Sequence, residues 1–460
     1  MGKKGSGGVG GGVNHRFIEE LPSNRFTYIV TIIMASVWFV VGTSLHVAAH
    51  IAPYIECQWN LTRFQTAISS SSVYLGESIG SIYFGGLVDM HGRQRILLGV
   101  IVFCVYFYAL AASATTFAMF VVLRFFNGAF AGAALVISCI YANESVKSKH
   151  RTAVFSIIGG AQSAGLFFST FVAYFVLNRL GWRIYVFIMS SSTLVFLPFI
   201  AWLPESLCFL QISGKQNEFK ETLSRVSKII AAPIPKRYIN VDDRPVHQQA
   251  SYRFLFQRYG YVTSVCALLF AVSHMNYYSF IYMTTLTVQT DQCYRHLTRE
   301  KMVHCQELSN SELLQAVLVS ASEIPGYFIV LLCADLLGRK PTIALGLLLN
   351  AASYITTLFC LPHMVSIVTV LISRGIACGY SSIMFLYTGE LLPTIVRSTG
   401  SGLCSSFAKF CCILVPFIFQ EFVYWSPLAT STMMVFLCLL CLLVLPLLKE
   451  TKGELLKAVD

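Results

Sequence analysis

The sequence predicts an all-α membrane protein of twelve transmembrane helices, arranged as two six-helix pseudo-repeats. Three observations predict it: an apolar composition, uncharged windows recurring along the whole chain, and charged motifs repeated at one fixed offset. Of 460 residues, 55% are hydrophobic and 12% charged, with a mean hydropathy of +0.66. A soluble domain carries about 25% charged residues. Windows of about twenty residues suffice to cross a ~30 Å hydrocarbon core as helices. They are continuous rather than alternating with period two, which argues against a barrel.

Apolar windows and their polar breaks place spans at 26–49, 65–88, 95–113, 116–142, 152–177 and 183–203. After a polar stretch come 260–288, 311–334, 342–361, 365–389, 398–423 and 426–448. An even number of spans returns both termini to one side. Of the 33 Lys and Arg, 24 fall on that side, 6 on the other and 3 inside spans. The positive-inside rule therefore expects both termini in the cytoplasm. The expected organisation is a flexible cytoplasmic tail (1–25), a first bundle (26–203), a cytoplasmic linker (204–258), a second bundle (259–448) and a cytoplasmic tail (449–460).

The first tail is rich in glycine from Gly5 to Gly12, and no cleavable signal peptide is read there. Met1-Gly2-Lys3-Lys4-Gly5-Ser6 fits the N-myristoylation pattern, with a plain soluble tail as the simpler reading. The linker offers one surface helix, Glu218 to Ile230, ended by Ala232-Pro233-Ile234-Pro235. Its nine basic residues would face anionic headgroups. The net charge of +11 sits in alternate loops, so the expected partner is the lipid bilayer and not nucleic acid. Twelve of fifteen cysteines fall in or beside apolar segments, where cysteine behaves as a small hydrophobe. Cys57, Cys293 and Cys305 lie in polar connections. A Cys293–Cys305 disulfide is expected on the side opposite the termini, with free thiols as the alternative. Asn60-Leu61-Thr62, on the same side, is a glycosylation sequon.

The repeat gives the architecture its detail. Asp89, Gly92 and Arg93 after the second span recur as Asp335, Gly338 and Arg339 after the eighth, 246 residues on. Glu144 and Arg151 recur as Glu390 and Arg397 at the same offset. Pro204-Glu205-Ser206 is paralleled by Glu450-Thr451-Lys452, and Arg124 by Arg374. Glycine permits the tight turn, while the carboxylate can cap a neighbouring helix N-terminus. Two gating ion-pair clusters are expected: Asp89, Arg93, Arg124, Glu144, Arg151 and Glu205, and their twins Asp335, Arg339, Arg374, Glu390, Arg397 and Glu450. Such clusters can latch when the halves rock together and break when they part. Packing alone is the simpler role.

Over residues 25–455 the sequence resembles the major facilitator superfamily. Tyr387-Thr388-Gly389-Glu390-Leu391-Leu392-Pro393-Thr394-Ile395-Val396-Arg397 and Trp202-Leu203-Pro204-Glu205-Ser206 resemble the organic cation/anion transporters. Glu56-Cys57-Gln58-Trp59 and Glu323-Ile324-Pro325-Gly326 look closest to the synaptic vesicle 2-related branch, as does the short connection after the first span. The resemblance implies a secondary transporter working by rocker-switch alternating access.

Ionisable groups inside spans are costly and are functional candidates by default. Lys409 in span eleven is the most pointed. The matching position is acidic in the resembling cation carriers and basic in the anion carriers, which implies an organic anion or zwitterion. Glu323 in span eight matches a cavity carboxylate of those families and offers either a partner for Lys409 in the empty site or a proton acceptor. Glu77 and His46 are candidate proton or substrate groups. Gln162, His274, Asn276, Tyr277 and Tyr278 would add polar and aromatic walls. A wet position at the outer end is the alternative for Glu77, and packing for the others. No nucleotide-binding loop, metal-ligand cluster or Ser/His/Asp arrangement stands out, so no enzyme, metal or cofactor is expected. The expected partner is a small organic ion, the expected state a monomer, and the expected location a vesicle or plasma membrane. The competing expectation is a transport-silent vesicle protein acting as scaffold or trafficking partner.

Overall fold

Proline and glycine decide where the long apolar runs bend and stop. In the computed structural model residues 25–147, 150–231, 252–289, 308–359 and 361–452 are described. Gly2, Cys293, Cys305 and the side chains of His46, Asp89 and Arg397 lie outside them. The first half comprises α1 (Arg25–Trp59), α2 (Arg63–His91), α3 (Arg93–Ala111), α4 (Phe117–Ser145), α5 (Arg151–Leu180) and α6 (Trp182–Trp202). Two short helices follow, α7 (Leu207–Ile212) and α8 (Gln216–Ile230). The second half comprises α9 (Tyr252–Gln289), α10 (Asn310–Leu337), α11 (Arg339–Thr356), α12 (His363–Leu391), α13 (Thr394–Cys412, carried on by Leu414–Gln420) and α14 (Pro427–Val444).

Ten of these helices are long and apolar enough to cross a membrane; α2 and α11 are not among them. In α2 the reason is written in its residues. Ser69, Ser70, Ser71, Ser72, Glu77, Ser78 and Ser81 lower its hydropathy, yet all are buried against protein. Polar groups inside a bundle need protein partners rather than lipid. In α10 and α13, Pro325 and Pro416 lack the N–H that would bond Ala321 and Cys412, and helix regularity lapses at Ser322 and Ile413. The Ile413 carbonyl accepts a hydrogen bond from the Ser71 hydroxyl at 2.8 Å, reaching from one half to the other.

At the end carrying Arg25 and Lys452 the two halves are braced alike. Gly92 (φ 106°) and Gly338 (φ 109°) take backbone angles that a side chain disfavours, and a Cβ at either would meet the carboxyl of Glu205 or Glu450. Arg93 pairs with Glu144 at 3.1 Å, and Arg339 with Glu390 at 3.2 Å. The Arg93 and Gln94 N–H groups donate to Glu205, as the Arg339 and Lys340 N–H groups do to Glu450. Ser206 and Thr451 hydroxyls donate to Glu144 and Glu390 respectively. Burial alone would raise the Glu450 carboxyl. Bonds from the N–H groups of Arg339, Lys340, Lys452 and Thr451 outweigh it and hold the group below the ordinary glutamate value.

Close approach of helices needs small residues. A Cβ on Gly132 of α4 would sit 2.5 Å from the Glu77 carbonyl oxygen, and one on Gly128 would sit 2.2 Å from that of Val73. The small-residue stripe of α4 thus seats α2 and fixes the height of Glu77. Tyr74, one turn earlier on α2, packs into the apolar core of the second half.

Candidate substrate site between the halves

The polar face of α2 lies on α13. Ser78 donates to the Ser406 carbonyl at 3.0 Å and Ser406 donates back to the Ser78 carbonyl at 2.9 Å. This reciprocal pair brings Glu77 beside Lys409, one helical turn beyond Ser406. The Lys409 ammonium lies 3.2 Å from a Glu77 carboxylate oxygen and donates to the Tyr278 hydroxyl at 2.6 Å. Neither Glu77 oxygen has a hydrogen-bond partner, although the side chain is fully buried. Tyr74 packs on Tyr278 with ring centres 4.7 Å apart, and Tyr277 on Tyr278 at 5.2 Å.

Beside Lys409 is a cavity of about 10 Å³, lined from both halves by Leu135, Gln162, His274, Tyr277, Cys378 and Phe385 among others. That holds about one water. A cavity of that size is too small for an organic ion. His274 donates through Nδ1 to the Phe270 carbonyl at 3.0 Å, which leaves Nε2 as an acceptor in the neutral ring.

A second buried pair lies in the second half. Arg374 Nε meets Glu323 at 2.5 Å, Tyr277 donates to the same carboxylate at 3.3 Å, and Arg374 Nη1 donates to Thr284 at 3.1 Å. Glu323 is thus engaged by Arg374, and the expected Lys409–Glu323 contact is replaced by Lys409–Glu77. The reason is a matter of height and facing: Lys409 points across to α2, whereas Glu323 starts the inner segment of α10 toward α12.

Two further expectations are revised. Arg124 and Arg374 belong to neither brace, because each is buried inside the bundle. Arg124 donates to the Ser44 and Leu45 carbonyls and to Asn127, with no carboxylate ion pair among the described residues. Asn276 turns away from the cavity and bonds Tyr380 at 2.8 Å and Tyr354 at 3.1 Å. Cys57 is disulfide-bonded; Cys293 and Cys305, for which a pairing was expected, lie outside the described residues. Asn60 is exposed in the α1–α2 turn, where Thr62 caps α2 with Gln65. Arg151 donates to the Asn143 carbonyl at 3.4 Å, and Asp335 lies 3.6 Å from Arg339.

Several residues that shape the site escaped the sequence reading. Cys378, Ser381, Ser382 and Phe385 line the cavity from α12. His50 and Thr170 meet at 3.0 Å, and Thr170 bonds Ser320 of the other half at 3.2 Å. The serine run in α2 was the available signal, since serines at three- and four-residue spacing make a polar stripe that must face protein.

The sugar (and other) transporter family profile matches residues 31–460. The chain belongs to this family. It is therefore a member of the major facilitator superfamily, a multi-pass membrane transporter and not an enzyme. The chain is 27% identical over 450 residues to the synaptic vesicle 2-related protein of Rattus norvegicus, covering 96% of this chain and 81% of that protein. To the protein of the same name from Xenopus laevis it is 26% identical over 447 residues, covering 95% and 81%. Among solved structures, it resembles the proton:xylose symporter XylE bound to 6-bromo-6-deoxy-D-glucose. The TM-score there is 0.71 at 17% identity, over 94% of this chain and 98% of that one. A partially occluded inward-open form of the xylose transporter from E. coli gives a TM-score of 0.68 at 17% identity, over 94% and 100%. At that identity the likeness speaks for the fold alone. The twelve-helix, two-half architecture is that of the superfamily.

Proposed function

We propose that this transporter carries a small organic anion, with Lys409 as its anchor in a cavity opened by rocking of the two halves. One observation carries the reading. Within the membrane-spanning core of the described residues, three buried cations, Lys409, Arg124 and Arg374, face two buried carboxylates, Glu77 and Glu323. Burying an uncompensated charge costs several kcal/mol. An arriving anion relieves that excess, whereas an arriving cation adds to it. Tyr277, Tyr278 and Phe385 beside Lys409 suit an aromatic or flat body attached to the charge.

The placement of the contacts supports alternating access. Each brace, in its described contacts, holds helices of its own half together and gives a rigid body. Contacts between halves include Lys409–Glu77, Ser78–Ser406, Ser71–Ile413, Thr170–Ser320, Ser163–Cys378, Asn178 on the Leu308 carbonyl, the Tyr327 hydroxyl on the Phe155 carbonyl at 3.0 Å, and Arg63 over the Tyr424 ring at 4.0 Å. Those contacts must be exchanged during transport. The names of the relatives favour a vesicle membrane, with both termini cytoplasmic by the charge bias of the loops.

The test is uptake of matched aromatic anions and cations into reconstituted vesicles by wild type and Lys409→Ala. The reading expects anion uptake in wild type and its loss in the variant. Anion uptake unchanged in Lys409→Ala removes the anchor, and preference for cations overturns the substrate class.

A further inference from the structure

The walls of the cavity beside Lys409 offer a substrate many lone pairs and few protons. The Ser381 and Ser382 hydroxyls both donate to the Cys378 carbonyl, at 2.9 and 3.2 Å, and the Tyr277 hydroxyl donates to Glu323 at 3.3 Å. With its hydrogen so used, each presents oxygen lone pairs alone. Gln162 lines the same cavity, and its amide can turn to offer a donor or an acceptor.

His274 has no such freedom. Its ring stacks on Phe270 with centres 4.6 Å apart, and Phe385 meets it edge-on at 5.5 Å. Nδ1 faces the Phe270 carbonyl at 3.0 Å, an oxygen that only accepts, so the ring proton sits on Nδ1. A second ring proton would add a fourth buried cation to a core where three already face two carboxylates. Nε2 is therefore a lone pair of fixed direction on a side chain that is 5% exposed, and no described residue donates to it. A buried acceptor left unpaired costs free energy until a donor arrives.

We propose that His274 determines specificity: the carried anion has a hydroxyl or N–H group on its flat body, which His274 Nε2 receives while Lys409 holds the charge. This rests on the anion reading above and narrows it to anions that bring a donor of their own. Lys409, His274, Phe270 and Phe385 all belong to the second half. Charge anchor and acceptor therefore keep their spacing when the halves move as rigid bodies, and a substrate held by both travels with one of them. An analogue with a methyl group in place of the donor leaves Nε2 dry and unpaired. One with an ether oxygen there sets two lone pairs against each other. Sites with a buried polar group discriminate most strongly against analogues that leave it unpaired.

The test uses vesicles reconstituted with the full-length protein and uptake of radiolabelled 4-toluenesulfonate, an anion that stays charged at all working pH values. Unlabelled meta and para hydroxybenzenesulfonates compete with it, each compared with the toluenesulfonate of the same substitution. In wild type the hydroxyl should improve competition about tenfold over the methyl at one ring position or both, the size of one net hydrogen bond. His274→Phe keeps an aromatic ring beside Phe270 but has no acceptor, and its ratio should fall to about unity. His274→Gln, with an amide oxygen that accepts, should restore part of the preference. A second comparison needs no variant: a methoxyl group should gain nothing over an ethyl group in wild type. Equal competition by hydroxyl and methyl at both positions in wild type overturns the inference and leaves the anion reading standing. A methoxyl that competes as well as the hydroxyl, or a preference unchanged in His274→Phe, also overturns it. No labelled uptake in wild type overturns the anion reading and this inference with it.

Discussion

Glu323 and Glu77 are both fully buried and both face a cation, yet they are held in opposite ways. Glu323 is gripped by Arg374 at 2.5 Å and by the Tyr277 hydroxyl, and Thr284 steadies the arginine. All of these belong to the second half. Glu77 has one ion pair at 3.2 Å, to a lysine on the other half, and no hydrogen bond. Rigid-body rocking leaves the first pair intact and must break the second. The same two residue types therefore serve structure in one place and the transport cycle in the other.

The comparison breaks most easily at Arg374. Arg374→Ala should leave Glu323 unpaired and cost about 3–5 kcal/mol. The expected result is loss of the monodisperse peak on size-exclusion chromatography, with recovery when Glu323→Leu and Arg374→Leu are combined. Next comes Lys409→Ala, which should cut anion uptake by about tenfold or more, equivalent to about 1.4 kcal/mol. Its melting temperature should fall less than that of Arg374→Ala, because Glu77 loses a partner at 3.2 Å whereas Glu323 loses one at 2.5 Å. Gly326→Ala should cost less stability than Arg374→Ala. Its Cβ would sit 2.5 Å from the Gly375 Cα and wedge α10 off α12, at about 1–3 kcal/mol of stability.

The smallest effect concerns the braces. The Glu450 carboxyl is held below its ordinary value, so its contribution to stability is present above that value and is lost as pH falls through the lower, folded one. Glu450→Gln should therefore flatten the fall in melting temperature on acidification below about pH 4.5, the ordinary glutamate range. An unchanged acid profile in the variant would show that the brace carboxylate does not govern acid sensitivity.

The architecture was legible in the sequence because its causes are local. Hydropathy marks each helix, and the turn built on Gly92 and Arg93 announces itself again at Gly338 and Arg339. The braces were legible for the same reason, since the two copies interpret each other. The partner of Lys409 was not. Ser78 and Ser406 are 328 residues apart, and no periodicity says which face of α2 meets α13 or at what height. Resemblance suggested Glu323 as that partner, but the nearest carboxylate is decided by helix packing between halves. Arg124 and Arg374 were misplaced for a related reason: an arginine near a helix start reads as interfacial, while carbonyls inside the bundle hold Arg124 and the Glu323 carboxylate holds Arg374 far inside.

The central claim is that Lys409, released from Glu77, selects the charge of the substrate. The most direct measurement is the ratio of 4-toluenesulfonate uptake to benzyltrimethylammonium uptake by wild type and by Lys409→Glu in the same vesicles. The account predicts a ratio well above unity in wild type and its inversion in the variant. A ratio that does not change on reversing this charge would contradict it.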